Sequence, residues 1–353
     1  MRKILICLIT AAILTVSVSG EMPEDFTASA KACVLIEAAT GEIIYASNAD
    51  VKMRIASTTK IMTTLLTIES GELDESFTVD PDAIKVEGSS MGLQEGDTVT
   101  KRALCYGMML PSGNDAANAS AIKISGSYEK FSELMNDRAK AIGMTRSYFV
   151  TPSGLEEDPS DTVKSGASAY DMALLTREAM RNETFREICS QQRAMVTFGN
   201  PPYDRWLNNT NKLLSMCDGV IGVKTGFTDE AGRCLVSACK RDGIELICVT
   251  LNAPSDWEDH TAMYKRGFAE LTLSEMPVTE KYFIDVAGAD SIELFPMDTV
   301  KYGKLPNCSE EITVRLIAPP FLYMPVGNNE SVAQLEFYYN GRYVDTIEMT
   351  VGS

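Results

Sequence analysis

The sequence predicts an α/β (α+β) protein in which helices flank an antiparallel sheet, with a small all-β domain at the C-terminal end. Three observations predict it. Apolar, β-prone runs open the chain and return after Gly219. Helical periodicity fills the stretch between them. Beyond Pro277 only short alternating runs remain.

In chain order, residues 21–30 form a lead-in. Residues 32–37 and 42–48 are apolar runs joined by Ala39-Thr40-Gly41, which predicts a hairpin. Residues 57–69 predict a helix with Ile61, Leu65 and Leu66 on one face. Residues 99–109 predict a second helical stretch that resumes after Asn114. Residues 167–181 predict a third, carrying Tyr170, Met172, Leu174 and Leu175. Residues 222–227, 234–239 and 246–251 then predict neighbouring antiparallel strands, with Gly243 at the turn between the last two, and a helix around 262–273 closes this unit. The runs 282–286, 312–317 and 334–339 alternate between Gly, Pro and Asn punctuation. The expected division is an export signal at 1–20, a helix-and-sheet domain at 30–275 and a β-sandwich-like domain at 278–353.

A chain of 353 residues that is 45% hydrophobic can bury two cores. Arg2 and Lys3 precede an apolar run from residue 4 to 18 and the small residues Ser19 and Gly20. That pattern predicts a secretory signal cleaved near Ser19 or Gly20, the alternative being an uncleaved anchor; a membrane-spanning helix needs about 20 apolar residues. Cys7 lies inside the apolar run, which argues against a lipoprotein signal. The net charge is −17, and −19 without the signal, from 30 basic against 49 acidic residues. Nucleic acid is therefore not an expected partner, and an anionic membrane surface repels the chain, so membrane contact beyond the signal is expected to be weak or absent.

Eight cysteines follow the signal, with no CxxC pair and no histidine at zinc spacing. Their apolar neighbours make most of them small buried hydrophobes, although an exported chain leaves room for one or two disulfides. His260 is the single histidine. It stands in a polar stretch leading into a helix, and we expect it to be an exposed helix-start residue. Any nucleophile in this chain then needs a base other than histidine.

Three short motifs supply one. Ser57-Thr58-Thr59-Lys60 falls at a predicted helix start, where residues three apart share a face, so the Ser57 hydroxyl and the Lys60 amine can meet. A Ser-Lys pair is a known replacement for Ser-His. Lys60 must be neutral to accept a proton, so burial or a nearby cation has to lower its pKa. Ser112-Gly113-Asn114 lies in a loop between helical stretches, where a serine can relay a proton and an amide can hold a carbonyl. Lys224-Thr225-Gly226, followed by Phe227, lies on an apolar strand. A cation and a hydroxyl there can bind a carboxylate, and Gly226 leaves room for a ligand along the strand. Each motif alone is common; the three in this order and these contexts are specific.

The set resembles that of penicillin-binding proteins and class A β-lactamases. The wider sequence is similar to the low-molecular-mass penicillin-binding proteins, the serine D-alanyl-D-alanine carboxypeptidases. The resemblance extends through Leu110-Pro111 and Asp115-Ala116-Ala117 around the second motif, Thr151-Pro152-Ser153-Gly154-Leu155, residues 168–173, Asn209-Thr210-Asn211-Lys212-Leu213-Leu214 and the β-prone tail. It implies the penicillin-binding/β-lactamase-like transpeptidase fold. It implies an exported enzyme, with no metal or cofactor, that removes the last D-Ala from peptidoglycan stem peptides and is inhibited by β-lactams. In it Ser57 is the nucleophile, Lys60 its base and Ser112 a proton shuttle. Asn114 orients the peptide, Lys224 and Thr225 recognise its carboxylate end, Gly226 gives it room, and the N–H groups of Ser57 and Phe227 form the oxyanion hole. Lys224 near Lys60 supplies the cation that lowers its pKa.

Two departures stand out. Many relatives carry an arginine after the third strand to hold the substrate carboxylate, whereas residues 252–260 here contain no Lys or Arg. Many also end in an amphipathic helix on the membrane, and the sequence leads us to expect no such anchor after Val351. The rivals are a class A β-lactamase and a non-catalytic wall-binding protein. The first needs a Glu-x-x-Leu-Asn motif, and only Asp204 to Asn208 (DRWLN) comes near it. The second usually lacks Ser or Lys of the first motif, and both are present. An endopeptidase acting on D-Ala cross-links shares the same chemistry.

Overall fold

The computed structural model describes residues 26–155, 165–306, 308–323, 325–326 and 330–351. The signal expected at 1–20, with Arg2, Lys3 and Cys7, lies outside the described residues. The chain opens with β1 (Ala32–Glu37) and β2 (Ile43–Ser47), a 3-10 turn at Ala56–Thr59 and α1 (Lys60–Glu69). Then come β3 (Ser76–Thr78), β4 (Thr98–Thr100), α2 (Lys101–Met109), α3 (Asn114–Ser125), α4 (Tyr128–Ile142), α5 (Ala169–Met180) and α6 (Glu183–Ser190). A hairpin of β5 (Arg193–Gly199) and β6 (Pro202–Asn208) and the short α7 (Leu213–Met216) lead to β7 (Val220–Thr228), β8 (Gly232–Arg241), β9 (Ile244–Leu251) and α8 (Asp256–Glu270). The C-terminal part is all β: β10 (Thr272–Glu275), β11 (Tyr282–Val286), β12 (Ala289–Pro296), β13 (Lys301–Lys304), β14 (Ile312–Ile317), β15 (Ser331–Tyr339) and β16 (Arg342–Val351).

The central sheet has the order β2-β1-β9-β8-β7 and is antiparallel at each pairing. Its inner strands are buried on both faces, which is why they read as continuous apolar runs. Val34 and Ile36 of β1, with Ile247 and Val249 of β9, enter the core beneath α1, α5 and α6. Cys33 and Leu35, with Leu246 and Cys248, enter a second core beneath α8. Each such Leu or Ile contributes about 1.5–3 kcal/mol by leaving water. The eight cysteines among the described residues are free thiols, seven buried and Cys308 partly exposed, so the buried ones serve here as small hydrophobes. The C-terminal strands form a separate five-stranded sheet, β11-β12-β16-β15-β14, over its own core.

The predicted strands of both sheets are present, and Gly243 does turn β8 into β9 with φ +85°. The differences are local. Val99 belongs to β4, and the helix starts at Lys101 because the Thr100 hydroxyl caps it. α4, α6 and the β5–β6 hairpin were not expected. α4 buries only Phe131, Met135 and Ala139, a stripe too thin to stand out, although Ser127 caps its start and Gly143 its end. The hairpin exposes Met195, Tyr203 and Trp206, which blurs its alternation.

His260 corrects a sequence expectation. It is not exposed but fully buried within α8, facing the sheet. Its Nδ1 lies 2.6 Å from Ser237 Oγ and its Nε2 3.0 Å from Thr250 Oγ1, while Tyr264 shares Ser237. Burial lowers its pKa to about 3, so the ring is neutral and ties α8 to the sheet.

Buried polar contacts join the two parts. Arg177 of α5 donates from Nε to Ala38 O (2.7 Å) and from Nη2 to Ala39 O and to Tyr343 O (2.9 Å) in the C-terminal sheet. Glu37 accepts from Thr40 and, at 3.2 Å, from the Gly303 N–H. Arg177→Met leaves the Ala38 and Ala39 carbonyls without this donor, while Tyr343 O keeps Arg181 Nη2 at 3.2 Å, and should lower unfolding free energy by about 1–3 kcal/mol. Urea titration beside the wild type checks this, and a change under about 0.5 kcal/mol would assign the contact no weight.

Candidate active site

Ser57 stands in the 3-10 turn that opens α1, and Lys60 is the first residue of that helix. In a 3-10 turn residues i and i+3 eclipse, which brings the two side chains closer than an α-helical start would. Lys60 Nζ donates to Ser57 Oγ at 2.9 Å, to Asn114 Oδ1 at 2.7 Å and to Ser153 O at 2.9 Å. Lys60 is completely buried. Its pKa is driven well below the ordinary lysine value, first by burial and then by the charge of Lys224, with Asp115 opposing. The amine is thus held ready to accept a proton.

The turn depends on an unusual backbone. Ala56 has φ +46° and Ser112 φ +68°, a region that costs a non-glycine residue about 1 kcal/mol or more. Ala56 is held by the segment after β-prone residue Val150: an added Cβ on Gly154 (φ +77°) would come within 2.0 Å of Ala56 O. Gly154→Ala is expected to push the Ser57 turn out of register and cut the rate of covalent labelling by β-lactam at least about 10-fold. Stopped-flow labelling measures it, and an unchanged rate would show that the turn tolerates the shift.

Asn114 opens α3, and its amide is spent inside the protein. Oδ1 accepts from Lys60, and Nδ2 donates to Glu87 O at 2.7 Å. The expected peptide contact therefore competes with these partners. Asp115 was not singled out by the sequence. Its buried carboxylate accepts from Ser90 Oγ (2.6 Å) and from the N–H groups of Met91 (2.9 Å), Gly92 (3.1 Å) and Leu93 (3.0 Å). It thereby fastens the loop carrying Ser89 over the start of α3; the sequence marked it only as one of the residues following the second motif, and as an acid in a helix's first turn.

β7 forms the opposite wall. Gly226 packs on the Ser57 turn so closely that a Cβ there would lie 3.2 Å from Ser57 N and 3.0 Å from Ile55 O. The backbone of β7 thus runs against that of Ser57, as an oxyanion pocket between them requires. Thr225 Oγ1 meets Thr210 Oγ1 at 2.7 Å at the strand edge. Lys224, expected at the carboxylate, is buried on the other face. Its Nζ donates to Thr225 O at 2.9 Å, and burial lowers its pKa to about 7.

Between these walls lies an open cleft of about 380 Å³. Ser57, Ser112, Thr225, Gly226 and Phe227 line it, so five of the eight expected residues face it, while Lys60, Asn114 and Lys224 stand behind. The cleft adds Ser89, Thr210, Lys212, Arg233, Cys234, Asp256 and Trp257; Thr210 and Lys212 fell in a stretch the resemblance had marked, Asp256 and Trp257 in the stretch 252–260 noted only for lacking a Lys or Arg, and none of them had been given a role. Asp204 sits on β6, where it accepts from Thr197 Oγ1 at 2.5 Å, and does not line the cleft. Among the described residues no cluster of three or more His, Cys, Asp or Glu could hold a metal, and no helix is long and apolar enough to cross a membrane.

The family model of D-alanyl-D-alanine carboxypeptidases (peptidase S11) matches residues 18–255. D-alanyl-D-alanine carboxypeptidase DacF of Bacillus subtilis is 34% identical over 251 residues, covering 70% of this chain and 63% of that protein, less than two thirds of its length. DacC of Escherichia coli is 30% identical over 342 residues, covering 90% of this chain and 82% of its own. A D-alanyl-D-alanine endopeptidase of Escherichia coli is 30% identical over 230 residues, with 64% and 70% covered. Among solved structures, a Streptomyces DD-transpeptidase superposes with TM-score 0.64 at 31% identity, covering 69% of this chain and 98% of that one. The D-alanyl-D-alanine carboxypeptidase of Mycobacterium tuberculosis superposes with TM-score 0.65 at 28% identity, covering 71% and 95%.

Proposed function

The chain belongs to the D-alanyl-D-alanine carboxypeptidase family of serine peptidases, and from that premise we propose that it removes the terminal D-Ala of peptidoglycan stem peptides through an acyl-enzyme on Ser57. The observation that carries the proposal is the 2.9 Å contact between Ser57 Oγ and a buried Lys60 amine of lowered pKa. Neutral Lys60 takes the hydroxyl proton as Ser57 Oγ attacks the carbonyl carbon of the penultimate D-Ala. The oxyanion faces the N–H groups of Ser57 and Phe227. Protonated Lys60 then returns a proton, by way of Ser112, to the departing D-Ala nitrogen; the C–N bond breaks and an ester remains. Water attacks the ester with Lys60 again as base, which releases the shortened peptide and restores Ser57.

Each supporting residue has a part. Asn114 fixes the Lys60 amine, and its amide meets the peptide only by giving up the bond to Glu87 O. Thr225 meets the carboxylate end, and Lys224 acts through its charge on Lys60. A β-lactam carries the same carbonyl and carboxylate, so it acylates Ser57 and leaves an ester that water reaches slowly. The reading of residues 1–20 as an export signal puts this chemistry on the wall side of the membrane. The relatives are D-alanyl-D-alanine peptidases, and Asp204 stands outside the cleft, so a β-lactamase is disfavoured. The test is incubation of residues 21–353 with fluorescent penicillin and, separately, with a stem pentapeptide assayed for free D-Ala. A lasting label with D-Ala release supports the proposal. Label lost within seconds without D-Ala release points to a lactamase, and neither signal on folded protein points to wall binding alone. A cross-linked peptide dimer in the same assay measures any endopeptidase share.

A further inference from the structure

Residues 252–260 offer no lysine or arginine for the end of the peptide, yet the cleft holds a guanidinium from elsewhere. We propose that Arg233 of β8, held in place by Asp256, binds the terminal carboxylate of the substrate beside Thr225, so that the site selects peptides ending in a free carboxylate. The proposal rests on the peptidase activity proposed above.

Three observations carry it. Arg233 pairs with Phe227 in the β7–β8 register, and Thr225 pairs with Leu235, so Arg233 and Thr225 are diagonal neighbours on one face of the sheet, two register positions apart. Asp256 Oδ1 accepts from Arg233 Nε at 3.1 Å and Nη2 at 2.6 Å, and also takes the Trp257 N–H at 3.0 Å. The guanidinium lies over the Trp257 ring at 5.5 Å. Only one edge of the fork is used this way, and no protein acceptor meets Nη1 among the described residues. The Asp256 side chain is 4% exposed and that of Arg233 42% exposed, so the anchored end is buried and the positive end opens to the cleft.

An arginine fork pinned on one edge is a ready bidentate receptor for a second carboxylate on the other. Asp256 is then a positioning residue: it fixes the fork's direction and tempers its charge. A substrate ending in an amide offers no anion and leaves Arg233 unanswered. Lys212 is the other cation lining the cleft, and it serves as the internal control.

The experiment compares kcat/KM for an acylated Lys-D-Ala-D-Ala with that for its C-terminal amide, in the wild type and in Arg233→Gln, Arg233→Lys, Asp256→Asn and Lys212→Gln. Thermal melts accompany each variant. Arg233→Gln should lower the carboxylate-to-amide ratio by about 10- to 100-fold, chiefly through KM for the carboxylate peptide. Arg233→Lys, which keeps the charge and loses the fork, should recover part of it. Asp256→Asn should lower the ratio less than Arg233→Gln does. An unchanged ratio in Arg233→Gln, or a collapse in Lys212→Gln instead, overturns the proposal. A wild type that neither turns over peptide nor takes penicillin sinks the activity itself, an outcome separable from a failure of Arg233 alone.

Discussion

Ser57→Ala will show no covalent adduct with fluorescent penicillin, and D-Ala release will fall by about 10⁴-fold or more. The expectation follows from what surrounds the hydroxyl. Thr58 Oγ1 is 2.6 Å from Ile55 O and buried, so it has no path to the cleft. Ser112 does line the cleft, but Lys60 donates to Ser57 Oγ and no Lys60–Ser112 bond is present. The fold should survive, because Lys60 keeps its bonds to Asn114 and Ser153. The checks are gel fluorescence, intact mass and a thermal melt within a few degrees of the wild type. An adduct persisting on the variant would move the nucleophile elsewhere and undo the mechanism.

Lys60→Met should slow acylation by about 10²–10⁴-fold, the range of a lost general base. In the wild type the acylation rate should fall as pH drops from 8 to 5. The sign follows from the chemistry: the active form is the neutral amine, and acid protonates it. Burial and then the Lys224 charge hold the Lys60 pKa low, so this acid limb lies below the ordinary lysine range. Lys224→Met removes the second cause and should move the limb to higher pH, whereas a rate flat from pH 8 to 5 in the wild type would remove Lys60 as the base. The same depression carries a stability consequence. Lys224, with a folded pKa of about 7 against the ordinary lysine value of 10.5, holds fewer protons folded than unfolded between those values. Its contribution therefore raises stability as pH climbs from about 7 towards 10, and its cost is largest below 7. Urea midpoints at pH 7 and 9 should differ less in Lys224→Met than in the wild type.

Much of the fold and of this chemistry was legible in the sequence because it is written locally. The strands of the central sheet are apolar at nearly every position, since both faces are covered. The Ser57–Lys60 pair lies within one helical turn, and Lys224 to Phe227 lie on one strand. Neighbours that close along the chain stay neighbours in the fold, whatever else happens.

What only the tertiary structure decided are relations between distant elements. His260 looked exposed from its polar neighbours Glu258 and Asp259, but the helix turns it onto Ser237 and Thr250, and desolvation makes it neutral. Asn114 looked like a free amide until α3 brought it to Lys60, 54 residues away. Arg233 and Asp256 lie 23 residues apart, on a strand and at a helix start, and neither residue signals the other. The sequence by itself determined the three motifs, the strands of the central sheet and the family. Packing decided which charges are buried, which are paired and which face the cleft, because burial and Coulomb interaction depend on distances across the fold that no local pattern encodes.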